Sequence, residues 1–233
     1  MGKPSAIVTG NRKGIGLAIT KVLLGLGYKV YGISREQDCL FEAESLELIS
    51  CDISHSGQLQ NLYNRILKKD KGLKVLVNNA GVGAIGLHEE LDLKYLESML
   101  QTNFIAPILL TRLCLRSLKQ NQGYIFNICS TSALKASPLG SAYAATKSGL
   151  AHFGTSLFEE IRKTGTKVIN IYPDLTKTAF FENLNYEQSE DPMTYLLPED
   201  ISQYIEFILQ QRTELVSSEL TIRTQKHRID KKK

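Results

Sequence analysis

Ser5-Ala6-Ile7-Val8-Thr9 runs without a break into Gly10-Asn11-Arg12-Lys13-Gly14-Ile15-Gly16, and the reading of this stretch decides the fold. The first five residues are short, apolar and partly β-branched, which suits a strand buried on both faces. From Ile15 to Leu26 the apolar residues Ile15, Ala18, Ile19, Val22 and Leu23 recur at helical spacing. Between strand and helix stand three glycines. Gly10 permits a tight turn, and Gly14 and Gly16 let the backbone approach a pyrophosphate and let the helix pack close to the strand. The N-terminus of the helix then offers free N–H groups and partial positive charge to phosphate. The spacing is G-x-x-x-G-x-G rather than the usual G-x-G-x-x-G, and a plain turn is the bland alternative.

The rhythm continues outward. Strand-like runs recur at Lys29–Ile33, Leu46–Cys51, Leu73–Val77, Tyr124–Cys129 and Lys167–Tyr172. Helical periodicity fills Gly57–Lys68, Leu93–Leu118, Ala142–Ile161 and Ile201–Leu209. Regular alternation of this kind predicts an α/β fold, a doubly wound parallel sheet of Rossmann type with helices on both faces. Neither linker nor repeat interrupts it, so residues 1–233 read as a single dinucleotide-binding catalytic domain. One connection is long: Thr176–Leu197 carries Phe180, Phe181, Tyr186 and Tyr195 among Glu182, Glu187, Glu190 and Asp191. It follows the carboxyl end of a strand, where such sheets bind ligands, and reads as a substrate lid near 176–197. The alternative is a surface excursion whose aromatics simply pack.

Composition narrows the function. With 233 residues, 42% apolar and net charge +4, disorder is excluded. The apolar runs stop well short of about 20 residues, which argues against a membrane span, and neither a signal peptide nor a myristoylation pattern is expected at the start. Cys39, Cys51, Cys114 and Cys129 show no C-x-x-C, and His55, His88, His152 and His227 show no ligand spacing. A reduced, cytoplasmic, metal-free chain follows. Lys226-His227-Arg228 and Lys231-Lys232-Lys233 read as a solvated, frayed end rather than a nucleic-acid site. No P-loop and no G-x-S-x-G elbow occurs, against an NTPase or a hydrolase.

Three further places carry chemistry. Ser34 and Arg35 end the second strand, where an acid would hold the 2′-OH of NAD and an arginine accommodates a 2′-phosphate. Arg12 and Lys13 border the same pocket, so the expected cofactor is NADP (NADPH), bound bidentately by guanidinium. Glu36 next door leaves open a competing reading in which it takes the ribose. Asp52 and Ile53 follow the third strand; Asp52 serves either the adenine edge or as an N-cap. Tyr143-Ala144-Ala145-Thr146-Lys147 places Tyr143 and Lys147 on one helix face. An ammonium there is expected to lower a phenol pKa from about 10 towards working pH, as a general acid requires. Ser130 stands thirteen residues before Tyr143, placed to polarise the same oxygen.

Taken together, Thr9–Gly16, Asn78-Asn79-Ala80-Gly81, Asn103 in Gln101-Thr102-Asn103-Phe104, Ser130, Tyr143-x-x-x-Lys147, and Pro173 with Thr178 resemble the short-chain dehydrogenase/reductase family over essentially the whole chain. The resemblance implies Tyr143 as acid/base, Ser130 orienting the carbonyl, and Lys147 binding the nicotinamide ribose while tuning the tyrosine. It implies that Asn103 holds a water relaying protons through Lys147. Asn79, with Ala80 and Gly81, would steady the sheet beside the cofactor. Thr178, after Pro173, would contact the carboxamide or phosphate. It also implies a homodimer or homotetramer acting on a small carbonyl or alcohol substrate. One departure matters: the family has glycine after Pro173, and here Asp174 stands. The rival functions are a cofactor-binding sensor or scaffold without turnover and a nucleotide-sugar epimerase. The intact Ser130, Tyr143, Lys147 and Asn103 speak against the sensor, and the chain length speaks against the epimerase.

Overall fold

The computed structural model describes residues 2–36, 41–66, 68–181, 186–226 and 228–231. Cys39, Glu182, His227, Lys232 and Lys233 lie outside the described residues, as do the side chains of Phe181, Tyr186 and Glu187. The first strand, β1 (Ser5–Thr9), is buried along its whole length and is followed by α1 (Gly14–Gly25). Then come β2 (Lys29–Ser34), β3 (Leu46–Ser50), α2 (Ser56–Ile66) and β4 (Leu73–Asn78). The second half contains α3 (Leu93–Leu100), α4 (Ala106–Gln120), β5 (Tyr124–Ile128), α5 (Ser141–Ile161) and β6 (Lys167–Pro173). It ends with β7 (Tyr186–Gln188), α6 (Pro198–Leu209), β8 (Glu219–Ile222) and β9 (Ile229–Lys231).

Seven strands form one sheet in the order β3-β2-β1-β4-β5-β6-β8, every pair parallel. Both faces are covered, which is why the strands are nearly continuous apolar runs. Ile19 and Leu23 of α1 and Ile201, Ile205 and Ile208 of α6 pack on one face. Leu59 and Leu62 of α2, Leu110 and Leu118 of α4, and Leu157 and Ile161 of α5 pack on the other. The direction in which strands are added reverses between β1 and β4, so the turns after these parallel strands meet at the switch point where doubly wound sheets bind ligands.

Three expectations need correction. The single helix expected over Leu93–Leu118 is interrupted by a π turn at Gln101–Ile105. Pro107, near the start of α4, has no N–H for the carbonyl four residues back, and buried Asn103 turns its amide onto the Val82 backbone instead. Leu93–Gln120 is, by length and composition, long and apolar enough to cross a membrane, contrary to the reading of short apolar runs. Here it buries Met99, Asn103, Leu110, Cys114 and Leu118. The basic end, expected to be frayed, is docked as far as Lys231: β9 pairs antiparallel with β7.

Candidate active site

One cavity of about 800 Å³ opens along the carboxyl edge of the sheet, large enough for a dinucleotide and a small substrate. Its floor is built by glycines. Gly10 and Gly14 have φ of +68° and +59°, a region that disfavours other side chains. A Cβ on Gly16 would stand 2.2 Å from the Gly10 carbonyl oxygen and 2.5 Å from Asn79 Nδ2, so only glycine lets α1 start this close to β1. Asn79 Nδ2 donates to the Thr9 carbonyl at 2.8 Å and the Gly10 carbonyl at 3.2 Å. Thr9 Oγ1 accepts from the Asn79 and Ala80 amides, both at 3.0 Å. The turn is thus held from behind while Lys13, at the N-cap of α1, makes no side-chain cap bond. The geometry fits a bound pyrophosphate.

Gly10, Arg12, Lys13, Gly14 and Ile15 line this end, with Ser34, Arg35, Asp52 and Ile53 beyond them. Glu36 is ion-paired with Arg12. Asp52 accepts from the Ser54 amide at 3.0 Å and the Ser54 hydroxyl at 2.7 Å, so it turns the chain into α2 while still lining the cavity. Burial pushes its carboxyl up, but the Ser54 bonds, with His55 and Arg35 nearby, outweigh that and hold it below the ordinary range.

Asn79, Ala80 and Gly81 form the middle of the wall, and Ser130, Tyr143, Lys147, Pro173 and Thr178 the far end. Ser130 follows β5 in an extended conformation and accepts from the Ser132 amide at 3.1 Å. Tyr143 lies in the first turn of α5 and Lys147 one turn on. Lys147 is buried, and its Nζ donates to the Ile128 carbonyl at 2.8 Å. A Cβ on Gly81 would come within 3.4 Å of that Nζ. Thr178 reaches back to the glycine turn: its Cγ2 lies 3.0 Å from where a Gly14 Cβ would be.

Two sequence expectations change here. Tyr143 is not lowered by Lys147. Burial pushes the phenol up to about 12; a hydrogen bond with Ser130 pulls it down and Cys129 adds to the rise. Burial likewise pushes the Lys147 ammonium down, and Cys129 opposes that fall. Asn103 and Gly16 do not line the cavity. Asn103 sits behind the wall, accepting from the Val82 amide at 2.9 Å and donating to the Val82 carbonyl at 2.8 Å.

Some contributors escaped the sequence reading. Ile128 acts through its carbonyl, which no side-chain motif encodes. Phe180, which the sequence places in the long connection without its contact, meets Tyr143 at a tilt of 57° with ring centres 5.6 Å apart, and its ring tip lies 2.2 Å from where a Gly83 Cβ would be. The Gly83 signal was available in the sequence but not its partner. Cys51, Cys114 and Cys129 are free and buried, as packing cysteines should be. The described residues contain no cluster able to hold a metal ion.

A glycine turn at the switch point and a Ser-Tyr-Lys set at the other end of the same cavity define a dinucleotide-dependent oxidoreductase of Rossmann type. A family model for short chain dehydrogenase matches residues 4–189, and the chain belongs to the short-chain dehydrogenase/reductase family. It is 31% identical to carbonyl reductase family member 4 of Xenopus tropicalis, over 87% of this chain and 89% of that one. A metagenomic short-chain oxidoreductase in complex with NADP is 29% identical with TM-score 0.81, over 94% and 96% of the chains. A 4-hydroxyisoleucine dehydrogenase complexed with NADH is 27% identical with TM-score 0.83, over 95% and 98%.

Proposed function

We propose that the protein is an NADP(H)-dependent dehydrogenase/reductase that moves a hydride between nicotinamide and a carbonyl or alcohol carbon, with Tyr143 as general acid/base. The observation that carries this reading is the single cavity, with Arg35 and the glycine turn at one end and Ser130, Tyr143 and Lys147 at the other. The bound cofactor supplies the hydride chemistry. The chain's own residues orient and protonate. Ser130 Oγ, beside the phenol, holds the substrate oxygen, and Tyr143 Oη delivers or takes its proton. Lys147 fixes the floor through Ile128 and meets the ribose. Asn103 secures Val82 and would hold the water that relays protons through Lys147. Phe180 on Tyr143 excludes water from the reacting end. Arg35 reads the 2′-phosphate, because Glu36 is already engaged by Arg12. The apolar surface left on α3 and α6 is covered by a second copy, giving a homo-oligomer.

A carbonyl panel read at the nicotinamide absorbance tests the assignment. Tyr143→Phe should lower kcat by about 10²–10⁴-fold while NADPH binding stays nearly intact. Arg35→Asp should weaken NADPH by roughly ten- to a hundredfold and improve NADH. Turnover in Tyr143→Phe close to wild type rejects the acid/base role, and an unchanged cofactor ratio in Arg35→Asp rejects the cofactor assignment. Cofactor binding with no turnover on any carbonyl would favour the sensor.

A further inference from the structure

Ser137-Pro138-Leu139-Gly140 is the turn through which the chain enters α5. The Gly140 amide donates to the Ser137 carbonyl at 3.1 Å and closes it. Proline in the second place of such a turn is ordinary. The third place, where φ is positive, calls for glycine or asparagine. Here it holds Leu139, with φ of +63°. That region crowds any Cβ, and leucine has no polar side-chain atom with which to offset the strain locally. The neighbouring Gly140 has a φ of −119°, so the glycine of this turn does not occupy its strained place.

Packing does not account for the leucine. Leu139 is 40% exposed and lies outside the cores on the two faces of the sheet. It does line the cavity, four residues before Tyr143. Its carbonyl accepts from the Gly86 amide at 2.8 Å, which ties the turn to the segment after β4. Ile85, next to Gly86, and Phe180 line the same cavity. Phe180 meets Tyr143 on one side and the Gly83 backbone on the other. The Tyr95 hydroxyl donates to the Gly83 carbonyl at 2.8 Å and steadies that side. Ile85, Leu139 and Phe180 thus stand on three segments that are joined through residues 83–86. Lys135, the charged residue between Ser130 and Gly140, also lines the cavity but is exposed.

We infer that Leu139 is a specificity-determining residue, held in a glycine's conformation because its isobutyl group, with Ile85 and Phe180, forms an apolar wall for the substrate. Backbone strain gathers at ligand sites for reasons of this kind. The substrate class that fits is a ketone or aldehyde whose carbonyl carries an uncharged ring or branched hydrocarbon. Ser130 and Tyr143 take the oxygen, and the wall takes the hydrocarbon. A polyhydroxylated or anionic carbonyl compound would lose water against the wall without a partner in return. The inference rests on the proposed function for the carbonyl; the strained turn and the wall are properties of the folded chain.

Calorimetric titration of cyclohexanone into the protein with NADP+ tests it, because oxidised nicotinamide cannot reduce the ketone and binding is read without turnover. Dihydroxyacetone and acetoacetate serve as the polar and the anionic probe. The wild type should bind cyclohexanone more tightly than either. Leu139→Asn suits the left-handed turn but removes the hydrocarbon. It should weaken cyclohexanone by roughly ten- to two-hundredfold and leave the affinities for dihydroxyacetone and NADP+ unchanged. Its thermal midpoint should be no lower than that of the wild type, since the turn is relieved. Leu139→Met should retain cyclohexanone binding. Equal effects of Leu139→Asn on cyclohexanone and dihydroxyacetone overturn the inference, as does a lowered midpoint, which would make Leu139 a packing residue. No binding of cyclohexanone to the wild type overturns it as well. Tighter wild-type binding of acetoacetate than of cyclohexanone would give the selectivity to Lys135 and overturn it too. Cyclohexanone that binds with the expected selectivity yet is never reduced by NADPH leaves the wall standing and counts only against the proposed function.

Discussion

Tyr143 and Lys147 show what a residue pair tells by its spacing and what it conceals. Four residues apart on a helix, they share a face, and the structure keeps them so, with Lys147 Nζ 5.9 Å from the centre of the Tyr143 ring. The direction in which the ammonium points was not legible, because it is set by the Ile128 carbonyl, a backbone group that every sequence has. The consequence is chemical. A phenol pushed up to about 12 remains the acid form throughout neutral pH, and its ionisation is lost from the ordinary range near 10. In the cofactor-free protein the absorbance difference between wild type and Tyr143→Phe should therefore show no phenolate growing in up to pH 10. Ser130→Ala removes the one hydrogen bond that favours the ionised form, so it should move the transition further up, not down. A Tyr143 phenolate at pH 8 would contradict both statements.

At the scale of elements, three adjacent strands are joined by more than their backbones. Asn78, Asn127 and Asn170 stand in register on β4, β5 and β6 and are fully buried. Asn78 Nδ2 donates to Asn127 Oδ1 at 2.9 Å, and Asn127 Nδ2 donates to Asn170 Oδ1 at 3.0 Å. The chain of amides ends on α5, where Asn170 Nδ2 donates to the Ala151 carbonyl at 2.8 Å. Gly154 makes room for it, since a Cβ there would lie 2.2 Å from Asn170 Oδ1. Replacing Asn127 by Leu should leave Asn170 Oδ1 without its donor, while Asn78 Nδ2 keeps Thr111 Oγ1 at 3.2 Å, a loss of about 1–3 kcal/mol. Denaturant unfolding should show a fall of that order, whereas an unchanged midpoint would mean that the amides find other partners. Hydrophobic periodicity located these strands almost to the residue, yet gives no sign that their asparagines bond to one another. The same blindness joined α3 to α4, because a period of 3.6 does not record that Asn103 reaches for Val82. Pro107 was the signal that the helix breaks its ladder there.

Over the whole molecule, the parallel sheet and the helices on its two faces follow from alternation alone, and the cofactor end of the cavity follows from glycine spacing. The substrate end did not, because its walls come from residues far apart in the chain, Gly83 with Phe180 and Gly86 with Leu139. The tail was unreadable for a similar reason: a short ladder with a distant strand leaves no periodic trace. Surface apolar residues remain on two helices. Leu93 and Leu100 of α3 are 75% and 44% exposed, and Tyr204 and Phe207 of α6 are 44% and 58%, the kind of surface that marks contact with another chain. Sedimentation at micromolar concentration should give a multiple of 26.0 kDa; a stable monomer would refute the oligomer.

The strand order carries a consequence for how the chain is made. β1 is laid down first and ends in the middle of the sheet; β2 and β3 extend it one way, and β4, β5, β6 and β8 extend it the other. No strand has to be threaded between two already paired, so the sheet can grow in step with translation, each new strand finding a waiting edge. The last edge waits longest. Between Pro173 and Glu219 the ribosome adds residues at about 5–20 per second, and for those seconds β6, buried along its whole length in the finished protein, has one side unpaired. An open apolar edge of this kind templates aggregation. A nascent chain arrested before Glu219 should therefore be captured by chaperones or precipitate, and one released after Ile222 should stay dispersed; equal dispersal of the two would show that β8 is not what closes the sheet.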